Sequence, residues 1–197
     1  MDQYKNIFEI RHNDLRPQRG RVLISEPFLR DAYFQRSVVL LVEHNVRGSM
    51  GFVLNKRTDL TVNGLFPELK ELPDIPVYLG GPAGSSHLFF MHLLGKRIPG
   101  GVEIGGGLCF DGDFGVLKKY MLDRNPIEGK IKFFIGYSGW MEDQLDGEII
   151  NDSWLVSVMT SDEMMQAGDD SFWKKSVASL GSPYDAWTNY PKYPDMN

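Results

Sequence analysis

The run Ile131-Lys132-Phe133-Phe134-Ile135-Gly136-Tyr137-Ser138-Gly139-Trp140, with Gln144-Leu145 and Glu148 behind it, decides how this chain is read. The apolar stretch at its start predicts a buried strand. Gly136 and Gly139 around Tyr137 and Ser138 predict a strand-to-helix turn, where backbone approaches a neighbour between two aromatic faces. Met141, Leu145 and Ile149 recur every fourth residue, the core stripe of a helix over about 141–150; Trp140, Gln144 and Glu148 form the stripe beside it. On this reading Ser138 caps the helix, with Glu142 and Asp143 near the positive end of its dipole. Gly136-x-Ser138 also resembles the start of a nucleophile elbow, but Trp140 stands where that motif needs glycine.

Upstream, Arg21–Glu26 predicts a strand stopped by Pro27. Val38-Val39-Leu40-Leu41-Val42 predicts one buried on both faces, and Asn45-Val46-Arg47-Gly48 turns it back into Ser49–Asn55 as a hairpin. A short helix follows over 61–69, then strands at 77–79, 88–94 and 102–104, the first ending at Gly80-Gly81-Pro82 and the last at Gly105-Gly106-Gly107. Asp113 opens a helix to about Leu122. Downstream, Trp154–Met159 is a strand, Thr160-Ser161-Asp162-Glu163 is a capping box, and Asp170 is read as the cap of a further helix. Residues 1–20 read as a lead, 21–180 as the domain and 181–197 as an extended Tyr/Pro-rich tail. The order of elements is neither a βαβ alternation nor all-β, which predicts an α+β fold on a mixed, twisted sheet.

The chain has 197 residues, enough for one sizeable core, and 42% hydrophobic with 24% charged residues is the composition of a globular protein. No apolar run is long enough to cross a membrane, and no secretory leader is visible. A single cysteine, Cys109, excludes an intrachain disulfide and suits a reducing cytoplasm; with no basic neighbour in sequence it is expected to be unreactive. The net charge of −5 is uneven: residues 1–60 carry +3 and the remainder −8. Between Phe133 and Trp173 there are nine acidic residues and no Lys or Arg, a face that repels a phosphate backbone. Arg11, Arg16, Arg19 and Arg21 read as solvated surface.

No catalytic or metal constellation stands out. His87 and His92 are five apart and face opposite sides of a strand. A His–Asp site assembled from distant loops, such as His44 with Asp111 or Asp113, is left open. Asp111-x-Asp113-x-Gly115 starts like a calcium loop but lacks the later ligands. Neither Gly105-Gly106-Gly107 nor Gly95-Lys96-Arg97 completes a phosphate-binding fingerprint.

Four motifs give the chain a resemblance to the bacterial YqgE/AlgH family. They are Arg21-Val22-Leu23-Ile24-Ser25-Glu26-Pro27, the hairpin from Ser37 to Asn55, Gly80-Gly81-Pro82, and Gly136–Trp140 with Gln144, Leu145, Glu148 and Trp154. Ser138, Asp143 and Ala83 stand where that family usually has Ala, Gly and Val. The resemblance implies a single α+β domain built on a bent, barrel-like mixed β-sheet with flanking helices. It also brings the label of a transcriptional regulator, although no helix-turn-helix pattern is present. The leading expectation is a cytoplasmic, non-catalytic protein that binds a small ligand or a protein partner, without cofactor, metal or direct nucleic-acid contact. Its ligand-binding cleft would involve Gly80, Gly81, Pro82, Tyr137, Gly139, Trp140 and Gln144, with His44 and Asn55 near the hairpin ends. An enzyme using His44 with an acidic partner and a direct DNA binder are the alternatives.

Overall fold

The computed structural model describes residues 12–192. The deciding run is one uninterrupted strand, Ile131–Met141, the ninth in chain order (β9). Before it come β1 (Val22–Ser25), β2 (Val38–Asn45), β3 (Gly48–Val53), β4 (Arg57–Thr61), β5 (Pro76–Leu79), β6 (Ala83–His92), β7 (Val102–Gly105) and β8 (Leu108–Phe110). After it comes β10 (Trp154–Ser157). The helices are α1 (Val62–Leu65), α2 (Phe114–Leu122), α3 (Gln144–Ile150), α4 (Ser161–Gln166) and α5 (Asp170–Ser179).

Among the described residues the sheet runs β10-β1-β2-β3-β9-β6-β8-β7, open at both ends, with β4 and β5 branching from it. β9 serves two neighbours along one edge. Phe133–Ile135 pair in parallel with Val77–Leu79 of β5, and Ser138–Met141 pair antiparallel with Gly48–Gly51 of β3. Its other edge pairs with β6. Gly136 sits at the handover with φ +69, and a Cβ there would lie 2.5 Å from the Gly81 carbonyl oxygen. The fold is therefore α+β on a bent, mixed and unclosed sheet.

This corrects the turn expected at Gly136–Gly139. Gly136 is needed for close backbone approach inside a strand, not for a change to helix, and Gly139 is an exposed strand residue beside the Tyr137 ring. Ser138 does not cap a helix: it is buried, and its hydroxyl donates to the Gly80 carbonyl at 2.9 Å. α3 starts at Gln144 after Asp143, whose φ of +59 makes the actual turn. The α5 cap is Asp169, whose carboxylate accepts from the Ser171 amide; Asp170 instead joins the ammonium groups of Lys56 and Lys192 at 3.1 and 2.5 Å. The Thr160–Glu163 capping box and the Asp113 cap form as read.

Helices cover both faces, which is why Val22–Ile24 of β1 and Val38–Val42 of β2 are continuously apolar. Val22, Ile24, Val38, Leu40 and Phe134 face α4 and α5, where Trp173 is fully buried. Leu23, Val39, Leu41 and Val53 face α3. Phe133, Phe90 and Val77 meet α1 and α2 in a third cluster. The expected extended tail instead folds at Tyr184–Asn189 into a 3₁₀ turn with Trp187 buried, and Tyr190 stacks on Phe28 at 5.1 Å. The Arg36 guanidinium and the Gln35 amide hold the following backbone through the Tyr190 and Lys192 carbonyls. In the lead, the Asn13 side chain both donates to the Val156 carbonyl and accepts from its amide, at 2.7 and 3.1 Å. Residues 1–11 of the lead and 193–197 of the tail lie outside the described residues.

Candidate functional site

The structure distributes the residues singled out in the sequence among three places. Trp140 and Gln144 come together around Glu148. The Glu148 carboxylate accepts from the indoles of Trp140 (2.9 Å) and Trp154 (2.8 Å) and from the Gln144 amide (3.0 Å). Gln144 accepts in turn from the Met141 amide. Phe34 stacks on Trp140 and meets Trp154 edge-on. The polar atoms of this cluster are taken up by one another, and the result ties α3 to β9 and β10.

Gly80, Gly81 and Tyr137 form the second group. The Gly80 amide donates to the Ile135 carbonyl, its own carbonyl accepts from Val53, and a Cβ on Gly81 would meet Tyr137 backbone at 2.4 Å. The Gly pair packs against β9, while Pro82 and Gly139 are exposed. Tyr137 is half-buried and edge-on to Phe89. Third, at opposite ends of the β2–β3 hairpin, His44 and Asn55 stand apart from both groups and from each other. His44 Nδ1 shares a 2.8 Å hydrogen bond with Ser49 Oγ across the hairpin. Asn55 is buried, accepting from the Val38 amide and donating to the Arg36 and Asp169 carbonyls. None of these residues lines the cleft described next. Among the described residues, no group of three or more His, Cys, Asp or Glu side chains is placed to hold a metal ion. Cys109 is buried, and desolvation, helped by Glu103, holds its thiol pKa above the ordinary value.

A cleft of about 890 Å³ opens where β5 and β9 both begin. Its walls are the 72–76 segment, Met121, the 124–129 loop, and Met165 and Gln166 of α4. The apolar part is Leu72, Ile75, Met121, Ile127, Ile131 and Met165. Arg57, Asp74, Arg124 and Glu128 are exposed charges of both signs in its lining. Within it lies Lys132, only 4% exposed. Its ammonium donates to the Ala167 carbonyl at the end of α4 and stands 3.6 Å from the Tyr78 ring centroid. Among the described residues no carboxylate pairs with it, and burial brings its pKa down to about 7. Burial also raises the Tyr78 phenol, with nearby Arg57 acting in the opposite direction. The sequence reading passed over Lys132. Its signal was a single cation inside an apolar strand, at a position where alternation places it on the buried face with Phe134.

Comparison with known proteins places the chain. The sequence profile described as AlgH-like matches residues 22–185. The chain belongs to the AlgH-like family. A UPF0301 protein of Parabacteroides distasonis is 57% identical over the full length of both chains. Another, from Bacteroides fragilis, is 46% identical, with 98% of this chain and 97% of the relative covered. In three dimensions the chain is similar to the AlgH protein of Pseudomonas aeruginosa, with a TM-score of 0.69, 25% identity, and 91% and 98% of the two chains covered. It is also similar in fold to a protein of Corynebacterium diphtheriae, with a TM-score of 0.74, 22% identity, and 91% and 94% covered. The four sequence motifs of this AlgH-like protein map onto the sheet centre, the β5–β9 crossing and the Glu148 cluster. No helix among the described residues is long and apolar enough to cross a membrane.

Proposed function

We propose that this AlgH-like protein is a cytoplasmic, non-catalytic binding protein with a regulatory role, and that it takes a small molecule in the cleft beside Lys132. The observation that supports this is a buried amine with no carboxylate partner among the described residues, lining a cleft of ligand size. Burying an ammonium away from water is costly unless it is paired and hydrogen-bonded. Lys132 has a carbonyl and an aromatic face but no counter-charge, so an incoming polar group would improve its surroundings. Apolar walls would bind the body of the ligand and Lys132 its polar end.

Native mass spectrometry of the protein purified under non-denaturing conditions tests the reading, together with a thermal-shift screen of small metabolites. A bound mass or a stabilising compound is expected, and either should be lost in Lys132→Met. A ligand retained equally by Lys132→Met, or a protein that carries nothing and responds to nothing in the screen, would sink it.

A further inference from the structure

We infer that Lys132 is a covalent attachment point: its amine condenses with an aldehyde or ketone, holding a carbonyl ligand in the cleft as an imine. This rests on the reading of the cleft as a ligand site and names the ligand class.

The argument begins with where the amine is. A lysine attacks carbonyl carbon only in its neutral form, and exposed lysines are almost wholly protonated near neutrality. Lys132 is buried on a strand paired along both edges, so its position is fixed by the sheet. Among the described residues no carboxylate stands beside it, so only the Ala167 carbonyl and the Tyr78 ring replace the ammonium's lost water; its pKa of about 7 leaves a substantial neutral fraction. Its hydrogen bond to the Ala167 carbonyl and its position over Tyr78 also suit the product. A protonated imine keeps one N–H, which can still donate to Ala167, and keeps a positive charge, which can still face the Tyr78 ring.

The chemistry balances without any further reagent. The Nζ lone pair forms a bond to the carbonyl carbon, and a proton passes from nitrogen to the former carbonyl oxygen. The resulting hydroxyl takes a second proton from solvent and leaves as water while the C=N bond forms, and the proton that remains on nitrogen makes the product a protonated imine. Leu72, Ile75, Met121 and Met165 provide an apolar wall for the substituent on the carbonyl carbon. The ligand class is therefore a small aldehyde or ketone with an apolar body.

The test is reductive trapping of the full-length protein with hexanal and cyanoborohydride at pH 7, followed by peptide mapping. Cyanoborohydride delivers hydride to the imine carbon and fixes it as a hexylamine. Lys132 should be alkylated at least about tenfold faster than the average of the other lysines, because its neutral fraction is larger by more than that factor. Lys132→Arg, which keeps a cation and a donor for Ala167, should lose this adduct and leave the slow background unchanged. A second readout needs no variant: labelling of Lys132 should be half-maximal near pH 7, while exposed lysines continue to gain well above it. Adducts spread over the exposed lysines with Lys132 unmodified would overturn the proposal. So would a co-purified ligand that depends on Lys132 but leaves no adduct after reduction; that result would keep the cleft as a binding site and remove only the imine.

Discussion

Glu148 shows how one side chain can organise a corner of the fold. Two indoles and an amide converge on its carboxylate, and Trp140 is only 5% exposed beneath it. Trp140→Ala removes the ring that packs on Phe34 and Trp154 and leaves a cavity, so a loss of about 3–5 kcal/mol is expected in denaturant unfolding. A loss below about 1 kcal/mol would mean that the tryptophan contributes little to the core. Lys132 carries the opposite kind of energetics. Its folded-state pKa is depressed, so between about pH 7 and the ordinary lysine value near 10.4 the unfolded chain holds a proton that the folded chain has released. Stability contributed by this group therefore rises with pH through that window, and the cost of burying the charge is full below it. The stability of the wild type relative to Lys132→Met should climb by up to about 4 kcal/mol from pH 7 to pH 10 in urea titrations. A pH-independent difference would show that Lys132 stays charged when folded.

Among the elements, what was legible followed from strong local signals. The β2–β3 hairpin, the α2 cap and the α4 capping box were readable because apolar runs, turn residues and capping side chains agree there. β9 was legible only to Ile135. A glycine at 136 looks the same whether it admits a turn or another strand's backbone, and the second case depends on Gly81 and Ala83, some fifty residues away in sequence. β4 was missed because it is short and mostly polar, and β8 because it is only three residues long behind a glycine run; pairing rather than sequence pattern makes them strands. The site was legible as a motif but not as a place. Trp140, Gln144 and Glu148 were read as one helical stripe and do come together, although Trp140 reaches Glu148 from β9 and Trp154 joins from β10; the cleft draws instead on loops and on a lysine that no spacing rule singles out. The turn before α3 gives a direct check. Asp143 holds φ +59, a conformation that glycine adopts without steric cost. Asp143→Gly should raise the unfolding free energy by about 0.5–1 kcal/mol, read as an upward shift of the urea midpoint with unchanged slope. A lower midpoint would show that the aspartate side chain contributes more than the strain costs.

At the scale of the molecule, charge argues about partners. The excess of +3 lies in residues 1–60, part of which forms the buried β1 and β2, and the rest of the chain carries −8. Duplex binding depends on several cations neutralising phosphates on one face. The isolated protein is therefore expected to show no sequence-dependent DNA affinity in fluorescence anisotropy at about 150 mM salt. Sub-micromolar, sequence-dependent binding under those conditions would instead make it a direct regulator. The open sheet has a second consequence for how copies meet. β10 is a terminal strand, and the backbone of its Val156 would offer a template to any passing extended chain were it not engaged by the Asn13 side chain. One amide group from the lead thus acts as a stopper against polymerisation. Asn13→Ala should leave the monomer's unfolding midpoint nearly unchanged while making scattering on prolonged incubation rise steeply with protein concentration; equal shelf life for both proteins would show that the edge is protected some other way.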